Sequence, residues 1–89
     1  MNEELESRLR KMADQLRQER DELRVRAHLL KAEVRQEWEE VERKWEHVEI
    51  RLERLGDGAR ESAEDLGAAL AQVGEEIQAA YQRIREALR

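Results

Sequence analysis

The chain has 89 residues, of which 17 are basic and 22 are acidic, and its net charge is −5. It contains no cysteine, which excludes disulfides and thiolate metal sites, and its length allows one small domain. Acidic and basic residues are interleaved without a basic block, so the charge pattern gives no support to nucleic-acid binding and little to binding at an anionic membrane.

Charged residues make up 44% of the chain, and proline is absent. This composition is typical of long helices and coiled coils. It is also compatible with disorder, but the regular apolar spacing along the chain favours helix.

The first predicted element is one long helix over residues 2–55. Asn2 is a candidate N-cap, and the acidic Glu3 and Glu4 follow where the helix dipole favours carboxylates. Apolar residues then recur mostly at steps of three and four, which places them on one stripe of the helix. Glu19 takes one position of this stripe, where a charge can fix register or partner. The predicted packing residues are Leu5, Leu9, Met12, Leu16, Leu23, Leu30, Val34, Trp38, Val41, Trp45, Val48 and Leu52.

Two more apolar residues, Val25 and Leu29, lie near the middle of this helix. We expect them to widen the apolar face and to be buried against more than one neighbouring helix.

Gly56, Asp57 and Gly58 form the strongest break in the pattern. Glycine suits the position after a helix, and aspartate suits the N-cap of the next one, so we predict a turn over residues 56–58. The alternative is a single helix that continues through both glycines, at a cost of about 1 kcal/mol for each.

A second, shorter helix is predicted over residues 59–88, with a stripe of its own. Tyr81 falls at the edge of this stripe, where its hydroxyl would lie near solvent. A fold-back about Asp57 would place Trp45 near Ala69, and Trp38 near Glu76 and close to Gly74, so that large side chains face small ones. The predicted packing residues are Leu66, Leu70, Val73, Ile77 and Ile84.

The predicted fold class is therefore all-α: a long helix and a shorter antiparallel helix form a hairpin, within a single unit of residues 1–89. Such a hairpin would be about 80 Å long, and one continuous helix would be about 130 Å. Residues 2–24 would have no cover within the chain, which predicts coiled-coil or bundle packing in a homodimer or small homo-oligomer.

No catalytic, cofactor or metal site is predicted. His28 and His47 do not occur in the Glu-x-x-His pattern of helical di-iron proteins, and the glycines match no phosphate-binding loop. Trp38 and Trp45 lie on the stripe, which favours core packing over an exposed stacking platform.

In the second half of the chain, Gly56 and Asp57 precede Ala63, Glu64, Asp65, Leu66 and Ala69. With these residues, the stretch over residues 38–89 resembles small bacterial stress-induced coiled-coil proteins. The resemblance implies a soluble bacterial protein, linked to stress, whose activity is undetermined. Members of that group often carry tryptophan in the second helix, whereas this chain carries both in the first.

The predicted function is a non-enzymatic structural or interaction module that self-associates through coiled-coil stripes. One alternative is an adaptor that docks its N-terminal segment on another helical protein, with Leu9, Leu16 and Leu23 as anchors. A less favoured alternative is a reversible membrane-surface helix, which the glutamate-rich polar face opposes. The N-terminal stretch lacks the apolar run of a secretory signal, which predicts a cytoplasmic location.

Overall fold

Helices make up almost all of the described chain, and a computed structural model describes residues 2–56 and 63–89. The elements are α1 (Asn2–Arg26), a 3-10 turn (Ala27–Leu29), α2 (Ala32–Gly56) and α3 (Ala63–Ala87). The all-α prediction is confirmed for these residues. Gly56 ends α2, whereas the rest of the predicted turn, Asp57 and Gly58, lies outside the described residues, as do residues 59–62.

The pairing of α2 with α3 shows that they run antiparallel. Lys44 Nζ lies 3.3 Å from Glu76 Oε2. Seven residues earlier in α2 and seven residues later in α3, Glu37 forms an ion pair with Arg83. The midpoint of both pairs in the sequence is residue 60, three residues beyond the predicted pivot at Asp57. The side chain that Trp45 bonds is Tyr81, whose hydroxyl accepts its indole hydrogen bond, whereas the sequence had placed Trp45 near Ala69.

Helix α1 runs parallel to α3 and antiparallel to α2. Close contacts along α3 establish its direction, because Gly67 lies beside Leu5 and Gly74 lies beside Met12. Further along, Arg26 donates a hydrogen bond to the backbone oxygen of Leu88 at 3.0 Å. The described helices thus form an up-down-up three-helix bundle, in which α3 packs against both of the others.

The prediction of one helix over residues 2–55 was wrong, since the chain leaves the helical path between α1 and α2. Leu30 has an extended backbone, with φ −72° and ψ 139°. Burial of Leu9, Leu16 and Leu23 against the bundle contributes roughly 5–9 kcal/mol. The few helical hydrogen bonds lost at the break cost about 1 kcal/mol each. Tertiary packing therefore outweighs the local preference for a continuous helix.

The break also changes the dimensions of the molecule. The Cα atoms extend over 42 × 18 × 17 Å, about half the length expected of a two-helix hairpin with an unbroken first helix. Each helix has 25 residues, which corresponds to about 38 Å at 1.5 Å per residue. One helix length therefore accounts for the long axis.

The interior is formed by the apolar stripes of all three helices. The N-terminal segment that was expected to lack cover is covered by α3, so the sequence argument for a partner at that face does not hold for the folded monomer. The buried core residues are Leu9, Ala13, Leu16, Leu23, Leu30, Trp38, Val41, Trp45, Val48, Leu52, Leu66, Leu70, Ile77, Ala80, Tyr81 and Ile84.

Candidate interaction surface

The predicted packing residues all lie in or against this interior. Besides those that are fully buried, Leu5, Met12, Val34 and Val73 are half-buried and pack against the core. Their contacts occur within one chain. We call the apolar side of α1, formed by Leu5, Leu9, Met12, Leu16 and Leu23, the α1 face.

Two predicted placements were wrong. Tyr81 is fully buried, at 0% exposure, because α1 covers the side of α3 that would be open in a two-helix layer. Val25 and Leu29 do not widen the buried face: they are 74% and 63% exposed. The chain bends at Ala27–Leu29, so these two side chains remain on the outside of the corner.

Trp38, Trp45 and Tyr81 form an aromatic centre between α2 and α3. The indole Nε1–H of Trp45 donates a hydrogen bond to the Tyr81 hydroxyl oxygen at 2.6 Å. The rings of Trp38 and Tyr81 are tilted by 32° with centroids 6.0 Å apart. This geometry is typical of stabilising aromatic pairs. Both tryptophans are buried, which agrees with a packing role rather than an exposed stacking platform.

Helix α1 places two guanidinium groups over Trp45. Arg17 and Arg20 lie 5.7 and 5.6 Å from the indole ring centroid, within the range of cation–π attraction. Arg20 also donates two hydrogen bonds to Glu42, at 2.7 and 2.5 Å. The hydrogen bond to Glu42 raises the pKa of Arg20. This cluster joins α1 to α2 next to the aromatic centre.

Burial raises the pKa of Tyr81 to about 12. Removing the phenol from water disfavours its charged form, and this outweighs the hydrogen bond from Trp45, which favours that form. Tyr81 therefore keeps its proton throughout the neutral pH range and acts as a neutral hydrogen-bond acceptor for the indole.

The charged residue predicted within the α1 stripe, Glu19, forms an ion pair that joins α1 to α3. Arg85 Nη2 lies 2.8 Å from Glu19 Oε1. Beside this pair, a groove of about 320 Å³ runs between α1 and α3. The groove is lined by Met12, Gln15, Leu16, Gln18, Glu19, Glu22, Gln78 and Arg85.

Two glycines of α3 let α1 approach closely. A Cβ atom on Gly74 would lie 2.6 Å from Met12 Sδ, and one on Gly67 would lie 3.0 Å from Leu5 Cδ2. Gly67, Gly74 and Tyr81 are seven residues apart and make a second stripe on α3, which faces α1. This heptad was visible in the sequence and indicates a second neighbour for α3.

No protein-family model, curated protein or solved structure matches the chain. The resemblance to bacterial stress-induced proteins therefore stays a prediction from the sequence. In the described ranges, no three histidine or carboxylate side chains gather as metal ligands would. None of the described helices combines the length and apolarity needed to cross a bilayer.

Proposed function

We propose that this chain is a non-enzymatic helical module whose function is association with protein, first of all with a second copy of itself. The observation that carries the proposal is the construction of the bundle. Among the described residues, every buried side chain is apolar or aromatic, and the buried residues line contacts between helices. If α1 separates from α3, the apolar side chains that this uncovers would suit another amphipathic helix rather than a small polar ligand.

The α1 face is the surface that a partner helix or a partner bundle would use. It is joined to the rest of the chain by apolar packing on α3 and by a small number of ion pairs, including Arg85–Glu19 and Arg20–Glu42. Since α3 already covers this face, self-association through the predicted stripe requires α1 to separate from its own α3. The contact of α1 with its own α3 competes with dimerisation, which is therefore expected only at higher protein concentration.

Light scattering coupled to size-exclusion chromatography tests this function. Samples between about 1 μM and about 1 mM should show a transition from the mass of one chain to the mass of two, because this range covers the dissociation constants of weak to moderate complexes. A single-chain mass at every concentration would refute self-association.

Exposed apolar residues favour a second candidate, an adaptor for another protein. Val25 and Leu29 are four residues apart at the α1–α2 corner and are largely exposed. The variant Val25→Ser with Leu29→Ser should keep the fold and lose binding to such a partner. Deletion of residues 1–24 is not a suitable test, because it would also uncover α3. The cytoplasmic location, the bacterial source and the link to stress remain predictions from the sequence.

A further inference from the structure

The segment that joins α1 to α2, residues 27–31, has the sequence of a helix although it is not folded as one. It consists of Ala, His, Leu, Leu and Lys, with neither glycine nor proline, and these residues are all compatible with an α-helix. Arg35 Nη2 lies 3.3 Å from the backbone oxygens of both His28 and Leu30. The turn is therefore stabilised by the Arg35 side chain and by a backbone hydrogen bond from Leu30 to Ala27, not by a glycine or a proline.

The buried residues on the two sides of this segment fall on one helical stripe. Along the sequence, before and after the turn alike, these residues are spaced three, four or seven apart. This is the spacing of one face of an uninterrupted α-helix. The buried or half-buried residues of this series are Leu5, Leu9, Met12, Leu16, Leu23, Leu30, Val34, Trp38, Val41, Trp45, Val48 and Leu52. A straight helix over residues 2–56 would thus point both halves of the stripe in the same direction.

We infer that two copies of the chain associate by exchanging α1. Residues 27–31 straighten, α1 and α2 become one continuous helix, and the α1 face packs on α3 of the other copy. The inference rests on the proposed self-association and names its partner and its mechanism. Each half of the dimer reproduces the three-helix bundle of the monomer, which is the usual basis of domain swapping.

The contacts of the monomer define the geometry of this dimer. Arg20 pairs with Glu42, and the midpoint of this pair in the sequence is residue 31, so the two long helices cross antiparallel about a two-fold axis near Lys31. The Arg20–Glu42 and Arg85–Glu19 ion pairs form between copies instead of within one. A helix over residues 2–56 is about 80 Å long at 1.5 Å per residue, compared with a long axis of 42 Å in the monomer.

The balance between the two forms depends on concentration. Exchange keeps the contacts of the α1 face and adds helical hydrogen bonds across residues 27–31. It loses the hydrogen bonds of Arg35 to the turn, and the two copies lose translational and rotational freedom when they associate. Arg35→Gln should therefore raise the dimer fraction at a given concentration, since it removes the guanidinium that stabilises the turn.

Cross-linking tests the exchange directly, because the natural chain has no cysteine. A Glu19→Cys chain is refolded together with an Arg85→Cys chain and treated with a short bismaleimide. The two native side chains pair at 2.8 Å between α1 and α3, so exchange predicts a covalent product that contains one chain of each kind.

A second pair of variants serves as the matched control. Lys44 and Glu76 pair at 3.3 Å between α2 and α3, and this contact stays within one chain after exchange of α1. A mixture of Lys44→Cys and Glu76→Cys chains should therefore give no cross-linked product between chains.

Ala32 offers a variant that separates the two conformations. It is the first residue of α2, where proline is well tolerated. In a continuous helix, proline at this position would clash with the carbonyl of residue 28, and it would disfavour each of the two long helices by about 100-fold relative to alanine. Ala32→Pro should give a stable monomer, whereas Ala32→Ser should dimerise like the natural chain.

The outcomes distinguish this inference from the function on which it rests. Cross-linking between chains at residues 19 and 85 alone, with loss of the dimer in Ala32→Pro, supports exchange of α1. A dimer that persists in Ala32→Pro, or that cross-links between chains at 44 and 76, overturns exchange of α1 while self-association stands. A chain that is monomeric at every concentration overturns both.

Discussion

Removing the Tyr81 hydroxyl should destabilise the bundle. Trp45 donates its indole N–H to that oxygen at 2.6 Å, and both rings are almost completely buried. Tyr81→Phe preserves the volume of the ring but leaves a buried donor without its partner. We expect the free energy of unfolding to fall by about 1–3 kcal/mol, the cost of an unsatisfied buried polar group.

A double-mutant cycle isolates this hydrogen bond from the general effect of losing a hydroxyl. Trp45→Phe and Tyr81→Phe are made singly and together, and each chain is unfolded in urea while its helical circular dichroism is followed. Each single variant already lacks the bond, so the double variant loses it only once. Its free energy of unfolding should therefore be about 1 kcal/mol higher than the value obtained by adding the two single losses. A Trp38→Phe cycle with Tyr81→Phe is the matched control, since those two rings pack with centroids 6.0 Å apart and so report the effect of ring packing.

Two results would refute the reasoning. One is a loss of less than about 0.5 kcal/mol in Tyr81→Phe, which would mean that the indole finds another acceptor at little cost. The other is equal coupling in the Trp45 and Trp38 cycles, which would assign the effect to ring packing rather than to the hydrogen bond.

Three further predictions concern the same interior. Burial raises the pKa of Tyr81 from 10.0 to about 12; the unfolded chain therefore loses this proton first, and stability should fall as the pH rises from 10.0 to about 12. Urea titrations should show that the free energy of unfolding falls less over this pH range in Tyr81→Phe than in the natural chain. Arg20→Met removes two hydrogen bonds to Glu42 and should cost about 1–2 kcal/mol; a difference in melting temperature that does not shrink in high salt would contradict the electrostatic part. Gly74→Ala should be tolerated because the Met12 thioether can move, whereas Gly74→Leu should cost about 1–3 kcal/mol, with part recovered by Met12→Ala; equal melting temperatures for all three chains would contradict close packing of α1 on α3.

The helical stripes could be predicted from the sequence because burial along a helix follows its period. Leu16, Trp45 and Ile77 occupy stripe positions in three different helices, and each one is buried. Glu19 also stood out as a charge within the stripe. Its partner Arg85 could not be identified, because the pairing depends on how α1 lies against α3 rather than on any local pattern.

The break between α1 and α2 could not be predicted from local residues. Residues 27–31 contain no helix breaker. Whether the chain is straight or folded back depends on the packing of Leu9 and Leu23 against α3, which is far away in the sequence. The same choice decides the environment of Tyr81, which would lie at an edge in a two-helix layer and is buried once a third helix covers it.

The parallel contact of α1 with α3 has a consequence for synthesis of the chain on the ribosome. The hydrophobic side of α1 is complete when residue 26 has been added, but its cover is not complete until residue 87. At about 5–20 residues per second, this interval is about 3–12 s. Nascent chains halted before residue 63 should therefore bind one another more readily than finished chains, which pull-down between differently tagged ribosome complexes would measure.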